Sequence, residues 1–215
     1  MKLLSSIYLF VMLFFMLFSE NENHIIDNVS SSYGLKNFET INTIEFTFNV
    51  KKVGIEISRH WIWKPKSNEV IFVTDGENIV FKHHNAKGDL QVSLDKKFVN
   101  DCYWLLFPYY LSWDKESYTY EVFKDKLSPI NKIKSTKLVI EYISDDGFSP
   151  NDIYELFLNE NHQIIEWIYR KGGAIIPTKI TTWEQTKSFN KMKFSTIHNG
   201  QDENFKVWFD DIKID

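Results

Sequence analysis

One cysteine, Cys102, stands in 215 residues. A lone thiol cannot close an internal disulfide, so an exported form of this chain folds without a staple. The plain reading of Cys102 is a small buried hydrophobe. Metal-ligand spacing is missing too: there is no H-x-x-x-H, no C-x-x-C and no carboxylate cluster, so neither a metal nor a cofactor is expected. Ser5-Ser6 and Ser30-Ser31-Ser32 lack the strand-to-helix context of a nucleophile elbow, and no glycine-rich phosphate loop is present. Neither sign of charge dominates. Lys and Arg number 25 against 29 Asp and Glu, a formal net charge of −4, which excludes a polybasic arm and argues against nucleic acid as a partner. At 43% hydrophobic residues the chain is no disordered acidic tail either. No repeat, low-complexity tract or linker interrupts it, so one domain over residues 20–215 is expected.

Aromatic side chains, by contrast, are abundant: 18 Phe, 10 Tyr and 7 Trp make up 16% of the chain. That is more large flat surface than an ordinary sheet core needs. Residues 1–19 hold one lysine and an unbroken apolar run from Ile7 to Phe18, followed by polar residues. The run is short for a bilayer span and fits the centre of a cleaved secretory signal, which predicts a periplasmic or otherwise exported protein. Ser19 and Leu17 make a weak cleavage site, so an uncleaved anchor is the alternative. No cysteine follows the run to accept a lipid.

After a short amphipathic helix ending at Gly34, the period changes to two. Ile44, Phe46, Phe48 and Val50 alternate with polar residues, the mark of a half-buried strand. Further strands are predicted at 53–63, 69–74, 78–84, 89–94, 117–124, 136–144, 153–158, 163–170, 174–183, 192–198 and 204–214. Asp75-Gly76, Asp146-Gly147, Gly172-Gly173 and Asn199-Gly200 supply turns. A second helix is predicted over 95–108, stopped by Pro108 and running into an apolar block, 104–113, that must cover or plug something. The fold class is therefore mainly β: a single strongly curved antiparallel sheet of about eleven strands, an unclosed barrel with an N-terminal and a mid-chain helix as lid or plug. A change of face after Phe209 predicts a bulge at Asp210-Asp211.

In strand 53–63 one face reads Ile55, Ile57, Arg59, Trp61, Trp63. Arg59 cannot lose its charge, so on this face it needs a carboxylate, backbone carbonyls or a ligand head group. It is either a structural arginine or a polar anchor in an apolar cavity. Many of Phe46, Phe48, Phe72, Phe81, Trp167 and Trp208 read as plain core, yet the surplus suits a cavity wall. The candidate ligand-binding set is Arg59, Trp61, Trp63, Phe46, Phe48, Phe72, Phe81, Trp104 and Phe107. His83-His84 are expected on opposite faces of one strand, unable to share a metal, with His60 as a cross-strand neighbour. Asp145-Asp146 and Asp210-Asp211 read as solvated charge.

Gly54 to Trp63 (GIEISRHWIW) and Glu69 to Phe81 (EVIFVTDGENIVF) resemble the strand, arginine, aromatic-x-Trp and Asp-Gly hairpin of the LolA-like lipoprotein-sorting proteins, the periplasmic lipoprotein carriers. The first helix and Thr43 to Asn49 (TIEFTFN) sit where that family has its first helix and strand. The resemblance implies an unclosed barrel whose helices lid an apolar cavity for acyl chains, with Arg59 tying the lid shut. The aromatic block at 103–113 and the end of the chain after its last strand depart from the family's pattern. They leave the fold and the cavity as the expectation rather than lipoprotein transfer itself. The expected function is a non-catalytic exported carrier of a lipid or of lipoprotein acyl chains, with transient membrane contact and an envelope protein as further partners. The alternatives are a filled-barrel interaction module, with 109–113 as an exposed docking patch, and, last, an envelope hydrolase.

Overall fold

The computed structural model describes residues 24–143 and 149–215. The expected signal segment, Ser5-Ser6, Asp145-Asp146 and the Asp146-Gly147 turn lie outside them. Helix α1 (Ile25–Ser32) buries Ile25, Ile26 and Val29 and stops at Gly34. Gly34 has φ +92°, and a Cβ there would come within 2.4 Å of the Lys191 carbonyl oxygen, so both backbone hand and space demand glycine. A 3₁₀ turn, Leu35–Thr40, leads into the strands.

The first sheet contains β1 (Ile44–Lys52), β2 (Ile55–Lys64), β3 (Glu69–Val73) and β4 (Ile79–Lys82). It also contains β10 (Glu184–Phe189), β11 (Met192–Asn199) and β12 (Lys206–Ile214), in the order β10-β11-β12-β1-β2-β3-β4. Register places Phe46 beside Trp61 and Phe48 beside Arg59 on the inner face. Between β1 and β12 the register slips: Glu45 faces Lys213 and Thr47 faces Asp210, so Asp211 and Ile212 together oppose Phe46. This is the expected bulge, with Asp211 at φ +54°.

The second sheet is a meander of β5 (Tyr118–Leu127), β6 (Lys134–Tyr142), β7 (Ile153–Leu158), β8 (Ile164–Arg170) and β9 (Lys179–Thr182). The curved surface is thus two sheets rather than one, joined where Trp183 alone separates β9 from β10 and where Thr181 bridges Gly200. Gly200 is tightly enclosed, since a Cβ there would lie 2.7 Å from the Asp202 carbonyl oxygen. Strands β4 and β5 end their sheets without pairing to each other, and the barrel stays open.

Helix α2 (Gly88–Trp113) connects β4 to β5. It is longer than expected at both ends. The alternation of Leu90, Val92 and Leu94 imitates a strand, but Leu94 begins a helical row with Phe98 and Cys102, while Leu90 is 61% exposed. Pro108 lies inside the helix, not after it. Its ring removes one hydrogen bond, but packing holds the helix together on both sides, and the Pro108 carbonyl accepts from the Ser30 hydroxyl at 2.7 Å. From Trp104 to Tyr109 every residue is buried, so this half fills the concavity from all directions. Tyr109 and Leu111 are fully buried and Tyr110 partly so, which reduces the expected docking patch at 109–113 to Trp113, 37% exposed.

Two other strand expectations change. Of 174–183 only Lys179–Thr182 pairs, because Ala174 and Pro177 lie in a loop carrying exposed Ile175 and Ile176. Strand β10, sequence EQTKSF, is mostly exposed and has no apolar face for periodicity to register.

Candidate functional site

A cavity of about 670 Å³ remains between the two sheets and the middle of α2. That size lies within the roughly 300–1,000 Å³ of small-molecule sites. Strands β1, β2 and β12 contribute Phe48, Val50, Ile57, Arg59 and Val207, and Phe205 stands just before β12. Helix α2 contributes Val99, Tyr103 and Trp104, and the second sheet Tyr154, Trp167 and Tyr169. The rings brace one another: Trp104 meets Trp167 edge-on at 4.9 Å, and Tyr154 stacks on Tyr169 at 5.0 Å. Among the lining residues Lys52, Lys96 and Asn100 are exposed and mark the mouth.

Arg59 points from β2 to α2. Its Nε donates to Asp101 Oδ2 at 2.7 Å and its Nη2 to Oδ1 at 2.6 Å, a bidentate pair. The guanidinium carbon also sits 4.8 Å from the centre of the Phe48 ring. Trp61 Nε1 donates to the same carboxylate at 2.8 Å and Asn100 Nδ2 at 3.1 Å. Asp101 is fully buried, and burial pushes its carboxyl above the usual value against the opposing pull of Arg59 and Trp61. One turn and a half earlier, Asp95 Oδ1 meets His83 Nδ1 at 2.7 Å. Burial holds His83 below the ordinary histidine value although Asp95 pulls the other way.

The histidines correct the sequence reading. His83 and His84 lie beyond the end of β4, and their rings meet at a tilt of 35° with centroids 3.6 Å apart instead of facing apart, because His84 turns the chain at φ +59°. His60 Nε2 pairs with Glu45 at 3.2 Å. Among the described residues no three His, Cys, Asp or Glu side chains are grouped as a metal site. Cys102 is buried, and burial raises its thiol well above the usual value. The buried Glu166 carboxylate is occupied structurally, accepting from Ser128 Oγ and from the backbone N–H groups of Ile130 and Asn131.

Of the nine candidate residues, Phe48, Arg59 and Trp104 border the cavity. The others pack elsewhere. Phe46 lies against Phe209, Trp61 against Phe72 and Phe98, and Trp63 against Phe38, Phe98 and Trp113. Phe81 is buried in the same core, and Phe107 packs on Tyr154 and Trp167 behind the wall. Trp167, read as plain core, lines the cavity. Trp208 is half-buried, with Nε1 donating to Asp210 at 3.0 Å. Tyr154, Tyr169 and Asp101 were missed. The need of Arg59 for a polar partner was a signal for Asp101, but neither the kind of partner nor which carboxylate could be chosen from spacing along the chain.

No protein-family model and no curated protein matches the chain. Solved structures do. A DUF1329 family protein from Desulfovibrio piger superposes with a TM-score of 0.51 at 8% identity, over 90% of this chain and 92% of that one. A LolA superfamily protein from Nitrosomonas europaea also gives 0.51, at 9% identity, over 89% and 92%. At such identities the likeness establishes the fold alone: the chain has a LolA-like open barrel with helices.

Proposed function

We propose that this chain is an exported, non-catalytic carrier domain that holds a lipid, or the acyl chains of a lipoprotein, in the cavity beside Arg59. One observation carries the reading. The concavity is filled by aromatic packing along most of its length, yet about 670 Å³ walled by Phe48, Trp104, Tyr154, Trp167 and Phe205 is left open. Each methylene moved there from water contributes about 0.8 kcal/mol, so one long chain supplies ample driving force. The LolA-like fold supports a carrier role in general. In this reading Arg59 holds α2 over the cavity through Asp101, Phe48 and Trp104 touch the chain, and the other six candidates shape the wall from behind. The apolar residues 1–19 direct export to the periplasm or its equivalent. Among the described residues no helix is long and apolar enough to cross a membrane.

Organic extraction of protein purified from its native host, followed by mass spectrometry, is expected to release a lipid. The emptied protein is expected to bind a fluorescent fatty acid. Protein that yields no lipid and binds no such probe would refute the proposal.

A further inference from the structure

The mouth of the cavity carries a charge opposite to that of the whole chain. The formal net charge is −4, but Lys52, Lys96, Lys179 and Arg59 all border this one space. Arg59 is committed to Asp101. Among the described residues the side chains of Lys52 and Lys96 make no ion pair or hydrogen bond, and both residues are exposed. Lys179 sits with its ammonium 4.2 Å above the Phe205 ring, at the boundary between the apolar wall and the opening. Besides Asp101, two carboxylates among the described residues lie near. Asp152 borders the cavity, but its oxygens already accept from the Tyr169 hydroxyl at 3.0 Å and the Gly172 N–H at 2.7 Å. Asp202 feels the charge of Lys179 and is capped by the Asn204 N–H at 2.9 Å. Among the described residues the lysines at the mouth therefore outnumber the carboxylates free to answer them. The Asn100 amide, one N–H of which donates to Asp101, leaves a second donor there.

We infer that this mouth reads an anionic head group, so that the ligand is a long-chain amphiphile ending in a carboxylate or phosphate. The inference rests on the carrier reading and narrows it. Apolar walls alone accept any chain of suitable size and discriminate weakly, whereas ammonium groups beside a partly desolvated opening favour a charged head over its neutral counterpart. In this arrangement the tail lies along Phe48, Trp104 and Trp167, and the head lies among Lys52, Lys96 and Lys179.

The test compares a long-chain carboxylate, the alkyl phosphate of equal length and the methyl ester of the carboxylate, titrated by calorimetry into protein stripped of lipid. The anions are expected to bind roughly tenfold more tightly than the ester at low salt, with the gap narrowing as salt screens the lysines. A Lys52→Gln/Lys96→Gln variant is expected to lose that advantage and keep its affinity for the ester, and Lys52→Arg/Lys96→Arg to retain it. Both pairs are exposed, so folding is not at stake. If the ester and the anions bind equally, the head-group inference falls while the carrier reading stands. If none of the three binds, both fall. A stronger response to the phosphate than to the carboxylate would identify a phosphate head, and the reverse a free fatty acid.

Discussion

The two halves of α2 are held in the concavity by different mixtures of force. Residues 88–101 reach the first sheet through Phe98, packed on Trp61 and Trp63, and also through two buried polar contacts, Asp95 with His83 and Asp101 with Arg59. Residues 102–113 are held by rings. Phe107 lies 4.6 Å from Tyr154, Tyr109 lies 5.9 Å from Phe194, and the Tyr109 hydroxyl donates to the Tyr33 carbonyl at 2.7 Å. Apolar packing lost to water has no substitute partner, whereas ionic groups at a cavity edge can exchange a protein partner for water or a ligand. The first half thus adds to its apolar packing polar contacts that can be traded, whereas the second, which gives Tyr103 and Trp104 to the cavity wall and is otherwise packed in rings, is a fixed plug.

The largest expected effect lies in the plug. Phe107→Ala removes a fully buried ring and should cost about 3–5 kcal/mol in urea unfolding. A loss below about 1 kcal/mol would mean that this half is not the fixed one. Next is the charged attachment. Arg59→Leu strands a buried carboxylate and should cost about 3 kcal/mol, with hydrogen exchange rising in residues 88–101 and unchanged in 102–113. Adding Asp101→Leu should return most of that loss. A double variant no more stable than the single one would show that the pair is not what holds this half.

A pH-dependent effect, absent at neutral pH and only about 1.4 kcal/mol one unit below 6.5, arises at the junction, where His198 lies 5.5 Å from the Trp104 ring. Burial drives the His198 pKa from 6.5 down to about 3. Because the fold favours the neutral ring, its contribution is complete above the unfolded value near 6.5. It is lost as pH falls toward about 3, at about 1.4 kcal/mol per unit. His198→Gln should flatten that part of the stability profile, and an unchanged slope would count against a buried neutral ring. The smallest effect is expected outside both halves. Ile176 is 80% exposed, and Ile176→Ser should shift stability by less than about 0.5 kcal/mol. A larger loss would mean that its loop is covered in solution.

Much of this was legible from period and turn chemistry. The alternation in β1 and β2, the Asp75-Gly76 hairpin, the stop at Gly34 and the bulge after Phe209 are local features that nearest neighbours decide. The misreadings have physical causes as well. Leu90, Val92 and Leu94 satisfy both a strand and a helix pattern, and only the continuation through Phe98 and Cys102 resolves them. Pro108 ends helices in isolation, but a helix packed on all sides tolerates the missing bond. Strand β10 has no apolar face, so its pairing with β11 is invisible until β11 is in place.

The sequence by itself determined which side chains face inward, since backbone geometry repeats every two residues in a strand and every 3.6 in a helix. It determined, too, that Arg59 on such a face requires a polar partner, whether a carboxylate, backbone carbonyls or a ligand group. Tertiary structure alone decided that Asp101 is that partner, that the apolar block after Tyr103 is a buried plug, and which rings border open space. Phe48 and Phe205 come from opposite ends of the chain, and the volume between them is a remainder left by packing, which no local pattern encodes.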